Sequence, residues 1–190
     1  FLGARDDIRE SEPAQRKLMQ DVLYLVDKHD LYGSVAYPKH NPPEMAAALF
    51  HFAHDANGAL LAPSRHENFG LTLVEAAAAG LPVASSGVGG MKDILDLCNH
   101  GITINPDDAE ASAKAIRKML ANRKRWLAFS ESGRAASRAK LTWASHIDRY
   151  LPAIQSIVAR SALPAVVRNR PRPLGTARYL AETRAFNGTV

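Results

Sequence analysis

The chain has 190 residues, of which 46% are hydrophobic and 23% are charged, with a single cysteine and a formal net charge of +5. These values are those of a soluble globular protein that is long enough to bury a core without disulfides. Cys98 cannot form an internal disulfide, so we predict a small buried residue in a reducing, cytoplasmic compartment. No apolar run approaches the ~20 residues needed to cross a bilayer, so we predict no membrane partner.

The excess positive charge lies in the last part of the chain. Residues 1–159 hold 18 Lys and Arg and 18 Asp and Glu, whereas residues 160–190 hold six Arg and one Glu. We therefore predict a nearly neutral domain over residues 1–159 and a basic, proline-containing linker or tail over residues 160–190. Because no stacking or motif element accompanies the charge, the tail does not favour a nucleic-acid partner.

The first predicted elements are a helix, a strand and a second helix. Apolar residues at helical spacing predict a helix between about Pro13 and Lys28. The segment "GSVAYP" predicts a short strand that ends at Pro38. The segment "PPEMAAALFHFAHDA" predicts a helix with Pro43 in its first turn.

Strands and helices continue to alternate along the rest of the chain. Short strands are predicted at "GALLAP", which we expect to be buried, at "LPVASS" and at "GITINP". Further helices are predicted at "GLTLVEAAAAG", "MKDILDLC", "DDAEASAKAIRKMLAN", residues 124–139 and residues 143–159. Asp107 and Asp108 are expected to cap a helix, and Trp126 and Trp143 to be packing residues. Four strands that alternate with helices predict an α/β fold with a Rossmann-like, doubly wound parallel sheet.

One segment, "HENFGLTLVEAAAAG", combines two glutamates with a turn that opens a helix. In open α/β sheets ligands bind beyond the carboxyl ends of the strands, where helix N-termini present free N–H groups. The amides of Gly70, Leu71 and Thr72 can therefore face a phosphate or a sugar oxygen. The carboxylates of Glu67 and Glu75 suit paired hydroxyls, and the combination suits a nucleotide sugar. Spacing alone leaves open a second interpretation, in which Glu67 caps the helix and Glu75 is a solvated helix residue.

A second glycine cluster, "SSGVGGMKDIL", also follows a predicted strand and opens a helix. Gly87, Gly89 and Gly90 would permit a tight turn with further amides at the same edge of the sheet. The spacing is not G-x-G-x-x-G, so a dinucleotide fingerprint is not supported. An ordinary strand-to-helix loop remains an equal interpretation. The scattered histidines do not form a recognisable metal site.

These residues also resemble a known family. "HENFGLTLVEAAAAGLPV" resembles the E-x7-E signature of retaining glycosyltransferases of the GT-B type, which have two Rossmann domains. "DKHDLYGSVAYPKHN" and "GGMKDIL" are similar to the C-terminal, donor-binding domain of the sucrose-phosphate synthase family. The resemblance extends over about residues 2–151. It implies the C-terminal half of a GT-B glycosyltransferase whose first strand–helix unit is missing.

The resemblance implies a role for each candidate residue. Glu67 would be the catalytic residue that contacts the donor hexose, and Glu75 would hold the ribose hydroxyls. The other donor-binding residues would be Phe69 and Gly70 at the sugar, Leu71 and Thr72 at the diphosphate, and Gly89 and Gly90 in the glycine loop. The family transfers glucose from UDP-glucose to fructose 6-phosphate, which gives sucrose 6-phosphate, without a bound metal or another cofactor.

Two positions depart from the family's pattern, and part of the family's site lies upstream. Asn68 replaces a usual proline, and Gly87-Val88 replaces a frequent Lys-Asn pair. The basic residues for the donor diphosphate and the N-terminal acceptor domain normally precede Phe1, so we expect a piece of a longer protein that is inactive alone. Two alternatives stay open. One is a related GT-B glycosyltransferase, such as a sucrose synthase-like one with another donor or acceptor, and the other is a non-catalytic sugar-nucleotide-binding module.

Overall fold

The computed structural model describes residues 11–37 and 43–160, so the predicted tail after residue 160 lies outside the described residues. The chain divides into two compact units, Phe1–Thr142 and Trp143–Val190. The division at residue 159 that the charge pattern indicates stays a prediction.

The predicted helices are confirmed, and three of the four predicted strands form. The first unit contains α1 (Pro13–Lys28), α2 (Pro43–Asp55), β1 (Leu60–Ala62), α3 (Leu71–Ala79), β2 (Val83–Ser85), α4 (Gly90–Cys98), β3 (Gly101–Thr103), α5 (Ala109–Ala121) and α6 (Arg123–Lys140). The second unit contains α7 (Trp143–Arg160). None of the helices in the described ranges is long and apolar enough to cross a membrane.

The three strands form one parallel sheet in the order β1-β2-β3. Ala62 pairs with Ser85 and Ser85 pairs with Thr103, so all three strands end at the same edge. Val83 packs in a cluster with residues of α2, α3 and α4, whereas Ala84 packs on the opposite face with residues of α5 and α6. Helices therefore cover both faces of the sheet, which confirms the predicted α/β fold with a parallel sheet.

Two strand predictions need correction. No strand forms over residues 33–37. Gly33 and Ser34 belong to a turn in which the Ser34 amide donates to the Leu31 carbonyl at 3.0 Å, and residues 35–37 form no regular element. Pro38 lies outside the described residues. The "GALLAP" strand forms as β1 but is not buried, since Leu61 is 55% exposed. Among the three strands of the described residues, β1 has an outer position, whereas the central strand β2 is fully buried.

Helix α3 lies in the middle of the first unit. Its buried face includes Ala76 and Ala77, and these small side chains allow α6 to pack closely at Gly133, where an added Cβ would lie 3.4 Å from the Ala77 Cα. The helix ends at Gly80, as predicted. Arg134 of α6 donates two hydrogen bonds to the last carbonyl of α3, at 3.2 and 2.9 Å. Close packing and this cap fix the helix that carries the candidate site.

Helix α7 is amphipathic, and its apolar side chains are exposed. These residues include Ile147, Leu151, Ile154 and Val158. Trp143 is 82% exposed, so the prediction that it packs in a core is wrong, whereas Trp126 of α6 is buried as predicted. Trp143 instead contacts His146, with ring centroids 5.8 Å apart.

Candidate functional site

Three loops follow the carboxyl ends of the strands. We call them the β1 loop (residues 63–70), the β2 loop (residues 86–89) and the β3 loop (residues 104–108). They lie at one edge of the sheet because the strands are parallel and end in register. This edge is where open α/β folds bind their ligands.

The β1 and β2 loops pack against each other through their backbones. The Gly90 amide donates to the Asn68 carbonyl at 3.1 Å, and the Ser86 amide donates to the Ala62 carbonyl at 3.0 Å. The Ser86 hydroxyl adds a 2.6 Å hydrogen bond to the Ser64 carbonyl. The two glycine-containing segments that the sequence indicates therefore form one continuous surface.

Glycine is required where the two loops meet. A Cβ added to Gly89 would overlap the Glu67 carbonyl oxygen, and Gly89 has a φ of +55°. A Cβ added to Gly90 would lie 2.7 Å from the carbonyl oxygens of Asn68 and Phe69. Neither position can hold a side chain unless the β1 loop moves. The predicted donor-binding role of both glycines stays a prediction, but the structure gives them this packing role as well.

Glu67 is half-buried, and its carboxylate organises the loop to which it belongs. Its Oε1 atom accepts hydrogen bonds from the Asn68 amide at 3.0 Å and from the Gly70 amide at 3.3 Å. The capping interpretation of Glu67 is not met, because Gly70 is the N-cap residue of α3 and no side chain makes a capping hydrogen bond there. Because the Gly70 amide is bonded within the loop, it is not free for a sugar oxygen as long as this bond is kept.

Glu75 lies in the second turn of α3 and is exposed. It lines an open pocket of ≈ 270 Å³ between α2 and α3. The rest of the lining consists of four alanines together with Phe50 and His51. The two glutamates therefore have different surroundings, since Glu67 lies within a loop and Glu75 faces a groove.

The N-terminus of α3 presents the remaining candidates. Leu71 is 64% exposed, and Thr72 and Phe69 are exposed as well. The first amides of a helix have no acceptor within the helix. Within the described part of the chain, the structure records no acceptor for the amides of Leu71 and Thr72. They form a positively polarised end that suits an anionic group.

A buried histidine, His100, contacts the first turn of α3. Sequence motifs do not identify this residue. His100 is 1% exposed, and its Nε2 lies 3.1 Å from the Leu73 carbonyl oxygen. Since a carbonyl only accepts, Nε2 carries the proton, and Nδ1 has no hydrogen-bond partner among the described residues. Burial lowers the pKa of His100 below its ordinary value, and the bond to Leu73 opposes that shift only in part.

This environment predicts acid sensitivity. The folded state binds a proton at His100 less readily than the unfolded state does, so the free energy of unfolding should fall as the pH drops through about 6.5 and continue to fall towards the lower pKa of the folded state. Urea unfolding at pH 7.5 and pH 5 should show a larger loss for the wild type than for His100→Gln, which retains a donor but does not titrate. Equal losses in the two proteins would contradict this prediction.

An ion pair also joins the outer two loops. Nη2 of Arg65 in the β1 loop lies 2.5 Å from Oδ1 of Asp107 in the β3 loop. Asp107 therefore makes an ion pair instead of the helix cap predicted for it. Asp108 caps α5 as predicted, since its Oδ1 accepts from the Ala111 amide at 2.9 Å. Sequence spacing gives no signal for the Arg65–Asp107 pair, because it depends on the order of the strands.

No metal centre is evident at this edge. Over residues 11–37 and 43–160, no group of three or more His, Cys, Asp and Glu side chains is arranged to hold a metal ion. The polar groups at this edge include backbone amides, carboxylates, hydroxyls, the His66 imidazole and the Arg65 guanidinium.

The comparisons with known proteins identify the class to which this fold and edge belong. Residues 17–136 match the family described as Glycosyl transferases group 1, and the chain belongs to that family. The E-x7-E motif lies inside the matched region, so the resemblance to glycosyltransferases that the motifs indicate is confirmed.

The similar curated proteins are sucrose-phosphate synthases. The chain is 36% identical over 155 residues to "Sucrose-phosphate synthase 4" of Arabidopsis thaliana, which covers 82% of this chain and 15% of the relative. It is 36% identical over 160 residues to the sucrose-phosphate synthase of Spinacia oleracea, which covers 84% of this chain and 15% of the relative. The chain thus spans only a small part of the length of these relatives.

Two solved structures share the fold. A sucrose-phosphate synthase from Thermosynechococcus elongatus matches with a TM-score of 0.65 and 27% identity, over 84% of this chain and 38% of that one. WaaG, a glycosyltransferase involved in lipopolysaccharide biosynthesis, matches with a TM-score of 0.52 and 25% identity, over 63% of this chain and 31% of that one. Both are GT-B glycosyltransferases, which agrees with the predicted fold class.

Proposed function

We propose that this chain is the donor-binding part of a retaining glycosyltransferase of the sucrose-phosphate synthase type. The complete enzyme would transfer glucose from UDP-glucose to fructose 6-phosphate and release UDP and sucrose 6-phosphate. It would act in the cytoplasm and would need no metal or other cofactor. The similarity to sucrose-phosphate synthases supports this choice of substrates.

One observation carries the proposal: Glu67 and Glu75 flank an exposed helix N-terminus at the carboxyl edge of a parallel sheet. The amides of Leu71 and Thr72 are suited to the donor diphosphate, whose negative charge grows as the bond to the sugar breaks. Glu75 lies farther along the same helix, beside the α2–α3 pocket, which suits ribose hydroxyls. Glu67 would contact the hexose, and Gly89 of the β2 loop and Gly90 at the start of α4 would support the β1 loop from the other side.

Transfer of the sugar to an acceptor requires more than the donor-binding part of the enzyme. An acceptor must be held against the anomeric carbon, and water must be kept out of the reaction. The donor-binding edge alone is an open surface, which neither fixes an acceptor nor excludes water. We therefore propose that this chain binds the nucleotide sugar but transfers glucose only together with the N-terminal acceptor domain of a complete enzyme.

The proposal predicts that UDP binding depends on Glu75. Glu75→Ala should weaken UDP binding by about tenfold, the loss expected when a hydrogen bond to a charged group is removed. Isothermal titration calorimetry of the 190-residue chain with UDP measures this directly. Glu131→Ala, which removes an exposed glutamate from α6, is the matched control and should leave binding unchanged.

Either of two results would count against the donor site. UDP affinity that is the same for the wild type and Glu75→Ala would remove Glu75 from the site. An equal loss in Glu75→Ala and Glu131→Ala would point to net charge instead of a specific contact.

A second candidate is a related GT-B glycosyltransferase with a different donor or acceptor. It is favoured by the match to WaaG, which is a glycosyltransferase of another process. Titration with UDP-glucose and ADP-glucose side by side distinguishes the donors. A preference for ADP-glucose would favour this second candidate over the sucrose-phosphate synthase type.

A further inference from the structure

The three loops at the carboxyl edge carry few positive charges. Among the residues of the β1, β2 and β3 loops, all of which the structure describes, Arg65 is the single Lys or Arg. The same loops contain three carboxylates, those of Glu67, Asp107 and Asp108. These side chains therefore give the edge a net negative charge, and Arg65 is the Lys or Arg side chain of the three loops that can offset it for a ligand with phosphate groups.

Two of the three carboxylates are bonded to backbone amides, and the third is bonded to Arg65. Glu67 accepts from amides of the β1 loop, and Asp108 accepts from the first turn of α5. Asp107 is paired with Arg65 at 2.5 Å, and the two side chains are 61% and 69% exposed. Exposed pairs of this kind contribute little to stability, so a stronger anion can take the guanidinium at small cost.

The ion pair lies at the same edge as the α3 amides. Arg65 belongs to the loop after β1 and Asp107 to the loop after β3, and β2 lies between these strands. Neighbouring strands are about 4.8 Å apart, so the pair bridges a distance of two strand spacings across the end of β2. A guanidinium there has several N–H donors in a plane, of which Asp107 uses only some.

We propose that Arg65 is a phosphate-binding residue of this edge and that Asp107 holds its guanidinium until a phosphate group displaces the carboxylate. The inference rests on the proposed function, because it assigns a charge partner to a ligand of the same site. The phosphate would belong either to the nucleotide diphosphate of the donor or to a phosphorylated sugar acceptor. Arg65 would supply a positive charge from within this chain, beside the uncharged amides of α3.

The two halves of the ion pair provide a test, because their removal should have opposite effects. Arg65→Ala should weaken phosphate binding by about tenfold. Asp107→Asn, which frees the guanidinium, should strengthen it two- to fivefold. In the double variant R65A/D107N the stronger phosphate binding should vanish, because Asp107 affects binding only by holding the Arg65 guanidinium. If the Arg65–Asp107 ion pair only held the β1 and β3 loops together, both single variants would weaken phosphate binding.

The experiment is a series of calorimetric titrations of the 190-residue chain with uridine, UDP, fructose and fructose 6-phosphate. An Arg65 effect on UDP but not uridine assigns the guanidinium to the donor diphosphate. An effect on fructose 6-phosphate but not fructose assigns it to the acceptor. Lys118→Ala is the control, since Lys118 lies in the last turn of α5, at the end away from the β3 loop, and its loss changes net charge equally.

The outcomes separate this inference from the proposed function. UDP binding that is lost in Glu75→Ala but unchanged in Arg65→Ala, with no effect on fructose 6-phosphate, would overturn the role of Arg65 and leave the donor site standing. Weaker binding in both Arg65→Ala and Asp107→Asn would also overturn it. Binding of no phosphate compound by the wild-type chain would overturn both proposals.

Discussion

Gly89→Ala is expected to lower the free energy of unfolding by about 3 kcal/mol and to abolish UDP binding. The backbone at Gly89 has φ +55° and ψ −141°, a region that side-chain-bearing residues hardly populate. The new Cβ would also overlap the Glu67 carbonyl oxygen, so the β1 and β2 loops must separate. Urea unfolding measures the first effect, and calorimetric titration with UDP measures the second.

Gly33→Ala provides the control for Gly89→Ala. Gly33 also has a positive φ, of +75°, but an added Cβ would meet no atom within 4 Å. Gly33→Ala should therefore lower the free energy of unfolding by about 1 kcal/mol, the cost of a side chain at positive φ, and leave UDP binding intact. If both variants lost the same stability, the contact between the two loops would not be the cause of the larger effect.

Leu73→Ala is expected to have a similarly large effect on stability, about 3 kcal/mol. Leu73 is completely buried in the first turn of α3, and its carbonyl oxygen accepts the His100 hydrogen bond. Truncation would leave a cavity beneath the turn that carries Leu71 and Thr72. We expect UDP to bind more weakly to the folded variant, because the amides would no longer be held in one position.

Leu71→Ala is the matched control in the same helical turn. Leu71 is 64% exposed, so its truncation should change the free energy of unfolding by less than about 0.5 kcal/mol. Urea unfolding of the two variants, followed by UDP titration below the unfolding transition, measures both effects. A loss of stability at Leu71 as large as that at Leu73 would contradict the burial pattern of α3.

Local signals in the sequence predict most of the elements. The helix of Pro13–Lys28 begins and ends where the proline and the apolar period place it, and α3 ends at the predicted Gly80. The same kind of evidence predicts the "GSVAYP" strand, which does not form over residues 33–37. A strand needs a neighbour to pair with, and neither β-propensity nor an apolar run supplies that information.

The contacts within the candidate site could not be predicted, because they join distant parts of the chain. The glycine loop was identified, but its backbone contact with Asn68 depends on how two loops meet at the ends of β1 and β2. The Arg65–Asp107 pair depends on the strand order, and the buried position of His100 depends on the packing of α3. Composition and spacing identify which residues can bind a ligand, whereas tertiary packing decides which of them are already bonded.

The most direct test of the central claim is an amide chemical-shift titration of the ¹⁵N-labelled 190-residue chain with UDP-glucose. If the carboxyl edge is a nucleotide-sugar site, the largest saturable shifts will come from residues 67–75 and 87–90, and Glu75→Ala will suppress them. Residues of α7 and of the C-terminal half of α6 will change little. Saturable binding with its largest shifts outside these two segments, or no binding at millimolar UDP-glucose, would contradict the claim.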